Sequence, residues 1–537
     1  MASGAELWRR EVVSAGAPRI GDDAAIEATA AVSADGAVLL VACYDGSLLA
    51  LSTASGMELW RCMADAEIKG APLVYAPPTE ALLPRLPLPS SVTSPLSSPT
   101  QNPQQFSRSI YSGCAFCASH DATVRCVFIG GVPARQDLDS SVSTSNSSSS
   151  TISSATTTSH TPGTLWWHFS VDGAVYASLA LAFVPGGVCK RQTKGNGKST
   201  NSSKNSKGSQ GSISMQSGAA EKDTETKILD ELLLTATTKG TLYAHLLGTL
   251  KTTSSNDAAD ENRSDTSTGS IANGSTPAPP TMAWRYAAGA PLFATPAVDA
   301  ALGIVVCASV GGRVMGVNLA NGTPSWMCLL GRAVFSSPAL WHPPICTANL
   351  AEGPDNEALV VVGCHDGNLS CRTAAGGRRV WTTHLAEACR AELAETFNTV
   401  CSSTAETVVP KSVETDGAAA APPEIPAEDP ISAAPFVFLE CSSSPSRGGH
   451  SRALVCAASQ SGLVAVLDLN SGKPLAAIRL PGLVFSSPVV IKANLEGGAT
   501  TAWTHYVIVV GCRDDHFYAI DFFLSKECVG SLFLREQ

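Results

Sequence analysis

The chain has 537 residues, 44% of them hydrophobic and only 15% charged, enough apolar material for a large core. A net charge of −10 argues against a nucleic-acid or anionic-membrane partner, since both draw basic patches. No apolar run approaches the roughly 20 residues that span a bilayer, and MASGAELWRREVV has no basic region leading into an apolar core. A cytoplasmic chain without a signal peptide is expected, with its 17 cysteines reduced.

In chain order, Glu6-Leu7-Trp8 reads as the end of an outer strand without a first, second or third strand of its own. Either it pairs onto the last unit as an extra strand or the polypeptide is the tail of a longer one, and the second is favoured. Seven complete units follow, at about 26–60, 69–167, 175–284, 292–326, 334–381, 431–476 and 484–533. Each is expected to hold four strands, A to D, because short Val/Ile/Leu-rich runs alternate with Asp-Gly, Gly-Gly and Asn-Gly turns. Ser/Thr-Pro leads strand A, as at Pro296, Pro338 and Pro488; strand B is an aliphatic run such as Leu359–Cys364; strand C alternates; strand D ends in Trp.

Two spacings establish the repeat. From the turn glycines Gly46, Gly312, Gly367 and Gly462, a second glycine follows after ten residues, and Trp60, Trp326, Trp381 and Ala476 follow after fourteen. From Trp60, Trp284, Trp326 and Ala476, a proline follows after twelve, and Trp166 is assigned to the same position in the second unit. The compact fourth unit with its connection takes 42 residues, Pro296 to Pro338, the length of one propeller blade. No Trp-Asp pair marks it as WD40. The fold expected is all-β, a quinoprotein-type propeller.

Biased inserts interrupt it at 77–107, 139–162, 190–227, 251–280 and 402–430, and their low hydrophobicity predicts disorder. All but the last fall in A–B or C–D connections, on one face. The opposite face, of B–C turns and D–A links, stays compact and is the better docking candidate.

The tryptophans are expected to pack between blades, and the second glycine of each spacing to take a positive-φ turn. The serines leading strand A are read as bonding backbone in preference to lining a ligand site. Asp45, Asp366 and Asp514 are explained by turn chemistry. Cys114 and Cys117 form a CxxC, but strand alternation sends them to opposite faces, and no second pair lies at zinc spacing. The stretch CRAELAETF reads as a solvated linker helix. His365, His384, His505 and His516 have no nucleophile at a recognisable elbow, and no phosphate loop or dinucleotide fingerprint is present. No catalytic, cofactor-binding or metal-binding residue is assigned.

LALSTASGMELW (Leu49–Trp60), VNLANGTPSW (Val317–Trp326) and LDLNSGKPLA resemble the repeat of pyrroloquinoline-quinone (PQQ) propellers. LPGLVFSSPVV (Leu480–Val490) and VVGCRDDHFYAIDF (Val509–Phe522) resemble the C-terminal propeller of the β-alanine-activating enzymes, or 2-aminoadipic 6-semialdehyde dehydrogenases, of the acyl-CoA synthetase family. That resemblance implies a partner, an adenylation and a carrier domain that activate a small amino acid with ATP and load it as a thioester. Neither domain is recognised in this chain, so no catalytic role passes to any residue here. Quinoproteins of this repeat class use adjacent cysteines and calcium-binding acids; no two cysteines are adjacent here, so no cofactor is expected. The sequence therefore reads as a binding or scaffold propeller attached to, or serving, an amino-acid-activating enzyme. The alternatives are a quinoprotein-like oxidoreductase with PQQ in the channel and a general protein-interaction propeller.

Overall fold

A computed structural model describes residues 7–10, 26–75, 105–106, 111, 113–130, 161–186, 228–253, 278–343, 357–390, 428–440, 452–492, 503–514, 516–525 and 530–534. Seven antiparallel sheets follow one another along the chain, each with its strands in sequential order, A to D. Blade 1 comprises Ala31–Val32, Val38–Ala42, Ser47–Ser52 and Glu58–Met63, and blade 4 comprises Ala297–Asp299, Ile304–Ala308, Arg313–Asn318 and Pro324–Leu329. Strands A of successive blades neighbour one another, as the inner strands of a propeller must. The chain is thus an all-β propeller.

Alternation along each strand sends one set of apolar side chains to the preceding blade and the other to the next. Buried clusters accordingly join blades 1 to 2, 2 to 3, 3 to 4, 4 to 5, 5 to 6 and 6 to 7. On its other face blade 1 buries Val41, Cys43, Leu49 and Leu51, with Trp8 packed against them. Cys114 and Cys117 do point apart, Cys114 into the core shared with blade 3 and Cys117 into that shared with blade 1.

Two readings are corrected. Strand D does not end in Trp: it continues to Met63, Leu329 and His384, because strand C pairs as far as its B–C turn (Ser47↔Met63, Arg313↔Leu329, Asn368↔His384). In blade 2 the register places Trp167, not Trp166, at the repeat position: Cys126↔Trp167 corresponds to Ala50↔Trp60 and Gly316↔Trp326. Trp166 instead turns to the other face of the strand and stacks on Phe128 at 5.3 Å. A helical turn is found at Leu385–Ala388, where Leu385, Ala386 and Cys389 plug the core between blades 5 and 6; the stretch CRAELAETF lies outside the described residues beyond Arg390.

Two inserts also contribute strand. Gln105–Phe106 pairs with Thr252 and Thr253, at the end of the long strand Thr241–Thr253 of blade 3. The rest of the five inserts lies outside the described residues, apart from 161–162, 278–280 and 428–430.

Candidate functional site: the compact face

The face formed by D–A links and B–C turns is built from a short pattern. Each link places a buried aliphatic residue, Ile68, Val175, Leu292, Val334, Ile431 or Val484, five positions before the first residue of the next strand A. The following residue points outward. In order these are Lys69, Tyr176, Phe293, Phe335, Ser432 and Phe485. Tyr176, Phe293 and Phe335 are half-buried and Phe485 is exposed.

The B–C turn of each next blade locks the link by donating a backbone N–H to it. Thus His120 bonds the Glu67 carbonyl, Thr238 that of Ala174, Val310 that of Pro291, His365 that of Ala333, Gln460 that of Pro430 and Arg513 that of Leu483. The turns themselves are held by acid side chains: Asp45 accepts from the N–H of Ser47, Asp366 from Asn368 and Asp514 from His516. These aspartates do structural work in turns. Gly46, Gly312, Gly367 and Gly462 occupy these turns at φ between +74° and +91°, and a Cβ on Gly46, Gly312 or Gly462 would come within 2.8 Å of a carbonyl oxygen of the following link.

The outward residues touch one another and form a continuous arc. Lys69 Nζ lies 4.6 Å from the centre of both the Tyr44 and Tyr176 rings. Tyr176 meets His120 at 4.0 Å and Phe293 at 4.7 Å, Phe293 meets Phe335 at 5.6 Å, and Phe335 meets His365 at 4.7 Å. His365 continues to the Ser432 hydroxyl at 3.2 Å, which accepts from Gln460, and farther on Arg513 lies 4.4 Å over Phe485. Burial and the nearby Lys69 charge lower the His120 pKa against the pull of Glu67, and burial lowers that of His365. At neutral pH both imidazoles are neutral, leaving Lys69 and Arg513 as the cations of the arc.

The predicted repeat residues sit behind this face and between blades. Trp284, Trp326 and Trp381 each cross to the next blade, donate the indole N–H to the carbonyl of Leu319, Ala374 or Leu469, and cover Gly322, Gly377 or Gly472. Trp60 covers Gly163, and Trp8 reaches the Thr53 carbonyl and Gly56 in the same way. Pro296, Pro338 and Pro488 are buried one residue ahead of strand A. The hydroxyls beside them bond from blade to blade: Ser178 accepts from the N–H of Ala71, Thr295 from Ser178, Ser337 from Thr295 and Ser487 from Ala434.

Sequence reasoning identified this face but missed the arc. Its signal was a constant position, three residues before Pro296, Pro338 and Pro488, held by Phe293, Phe335 and Phe485.

Chemistry is sparse elsewhere. Burial pushes the thiols of Cys117, Cys307 and Cys371 up to about 12 and that of Cys364 to about 11, so they are protonated at neutral pH. His505 Nε2 lies 2.6 Å from Asp521, but its Nδ1 is buried and meets no hydrogen-bond partner among the described residues, so no nucleophile completes the pair. His384 caps the helical turn and His516 lies in the last B–C turn. Among the described residues no three His, Cys, Asp or Glu side chains converge to hold a metal. No helix among them is long and apolar enough to cross a membrane.

The chain is a β-propeller built of antiparallel four-stranded blades. The family model described as "Outer membrane protein assembly factor BamB" matches residues 1–77 and 277–412. The chain is similar to the β-alanine-activating enzyme of Homo sapiens, 34% identical over 91 residues (17% of this chain and 7% of that protein). It is also similar to that of Danio rerio, 26% identical over 247 residues (44% of this chain and 16% of that protein). It thus spans a small part of the length of these relatives. Solved structures of similar shape include BamB from Moraxella catarrhalis, at TM-score 0.38 and 10% identity over 95% of this chain and 83% of that one. Another is Chaetomium thermophilum Sqt1 bound to the N-terminus of ribosomal protein L10, at TM-score 0.43 and 13% identity over 93% and 84%.

Proposed function

We propose that this propeller is a non-catalytic docking module in the cytoplasm, and that its compact face binds an adenylation–carrier enzyme that activates a β-alanine-like amino acid. The observation that carries the docking role is the arc Tyr176–Phe293–Phe335–His365, in which aromatic side chains from successive links and turns are aligned and partly open to solvent. Aromatic clusters of this kind, fixed by a rigid backbone, bury large areas at little entropic cost and recur as the energetic centres of protein interfaces. The choice of partner is supported by the partial likeness to β-alanine-activating enzymes. No cofactor enters this reading, because the face supplies aromatic rings and two isolated cations in place of a metal-binding donor set.

The test is a binding titration of the full chain with the adenylation–carrier portion of a β-alanine-activating enzyme, alongside its adenylation rate. Association is expected, and Phe293→Ala or Phe335→Ala should each weaken it at least roughly tenfold. Absence of both association and any effect on adenylation would remove the proposed partner.

A further inference from the structure

The interface between blades 4 and 5 carries an unmatched polar pair. On the face that each blade turns to its predecessor, strands B and C usually pair aliphatic residues or cysteine: Val305 with Val317 and Cys307 with Met315 in blade 4, Val455 with Leu467 and Ala457 with Ala465 in blade 6. In blade 5 strand B keeps the rule with Val360 and Val362, but their partners on strand C are Arg372 and Ser370. Two polar residues therefore occupy positions that blades 4 and 6 fill with apolar core; blades 2 and 3 set one polar residue each at such positions, Arg125 opposite Cys117 and His245 opposite Leu233.

They line a cavity of about 180 Å³ between blades 4 and 5, together with Asn368, Thr382, Arg379 and Leu330. A single water needs roughly 10–15 Å³, so the cavity admits a small polyatomic ion. Ser370 is 2% exposed, yet its Oγ meets no hydrogen-bond partner among the described residues; nor does the buried Nε of Arg372. Buried donors of this kind are nearly always satisfied in native proteins. Arg372 spends only Nη1, on the Gly377 carbonyl at 3.0 Å. Blade 2 offers the contrast: Arg125, also on strand C, is matched by Asp121. Among the described residues that line the blade 5 cavity the one carboxylate is Asp366, which accepts from the Asn368 N–H, so two guanidinium groups face one carboxylate there.

We infer that this cavity is a binding site for a small oxyanion, a phosphate or a carboxylate. Arg372 Nε and the Ser370 hydroxyl donate to its oxygens, and the exposed Arg379 guanidinium closes the mouth. Guanidinium and hydroxyl donors together are the usual partners of such groups. The site shares the Asp366–Asn368 turn with the compact face but does not depend on the partner proposed for that face.

The test uses the purified full chain, titrated with sodium phosphate and separately with sodium acetate, each against sodium chloride at equal ionic strength, with the thermal unfolding midpoint as readout. A saturable rise beyond the chloride baseline is expected from at least one of the two, and the one that saturates identifies the oxyanion. Arg379→Ala, at an exposed position, should weaken binding at least roughly tenfold without altering the fold. The double variant Ser370→Ala/Arg372→Leu restores the aliphatic pattern of blades 4 and 6, and should abolish the saturable response while raising the ligand-free midpoint. Shifts no larger than those with chloride, or equal titrations by wild type and Arg379→Ala, would overturn the site.

Discussion

Gly472 has φ +69°, and a Cβ built there would lie 2.5 Å from the Trp381 ring. Gly303 has a similar φ, +64°, with nothing within 4 Å. The pair separates two reasons for a glycine. Gly303→Ala should cost only the left-handed backbone penalty, about 1–2 kcal/mol, whereas Gly472→Ala should cost more because the indole must also move. In urea unfolding, Trp381→Ala should make the second glycine substitution cheaper; strictly additive losses would refute the socket. His245 offers a pH test. Burial lowers its pKa to about 4, so between about pH 6.5 and pH 4 the unfolded chain takes up a proton that the folded chain refuses. The stabilisation due to the neutral imidazole is complete above pH 6.5 and falls with pH through that window. His245→Leu, matching Val317 and Leu467 at the equivalent place, should flatten stability between pH 7 and pH 5; an unchanged slope would assign it to other groups.

At the scale of strands and links, the blades are held together by hydroxyls as well as by apolar packing. Ser337 accepts the Thr295 N–H at 2.9 Å across the boundary between blades 4 and 5. Ser337→Ala should lower unfolding stability by about 1 kcal/mol, and native-state hydrogen exchange should show the Thr295 amide opening more readily; an unaltered amide would mean the bond contributes nothing. How much of this was legible depends on the range of the interaction. Strand placement was readable because turn glycines and strand-leading prolines act locally, over ten to fourteen residues. The pairing of Gly322 with Trp284, or Gly472 with Trp381, was not, since each glycine is fixed by an aromatic from another blade. Trp166 and Trp167 were indistinguishable for a related reason: adjacent indoles differ only in register, and register is decided by strand C.

Taken whole, the molecule is a repeat in which each blade packs on its neighbours, so its stability is expected to be close to a sum of blade and boundary contributions. That arrangement makes the compact face stiff: every link is tied by a turn N–H, and the outward aromatics are presented without a folding cost at binding. The docking face repeats one short design six times with different outward residues, and that variation is where specificity resides. The most direct measurement is hydrogen exchange of the full chain, free and bound to the adenylation–carrier portion of a β-alanine-activating enzyme. The account expects slowed exchange concentrated in the links 288–296 and 330–338 and in the turn at His365. Protection confined to strand D or to the opposite face, with the links unchanged in the complex, would contradict it.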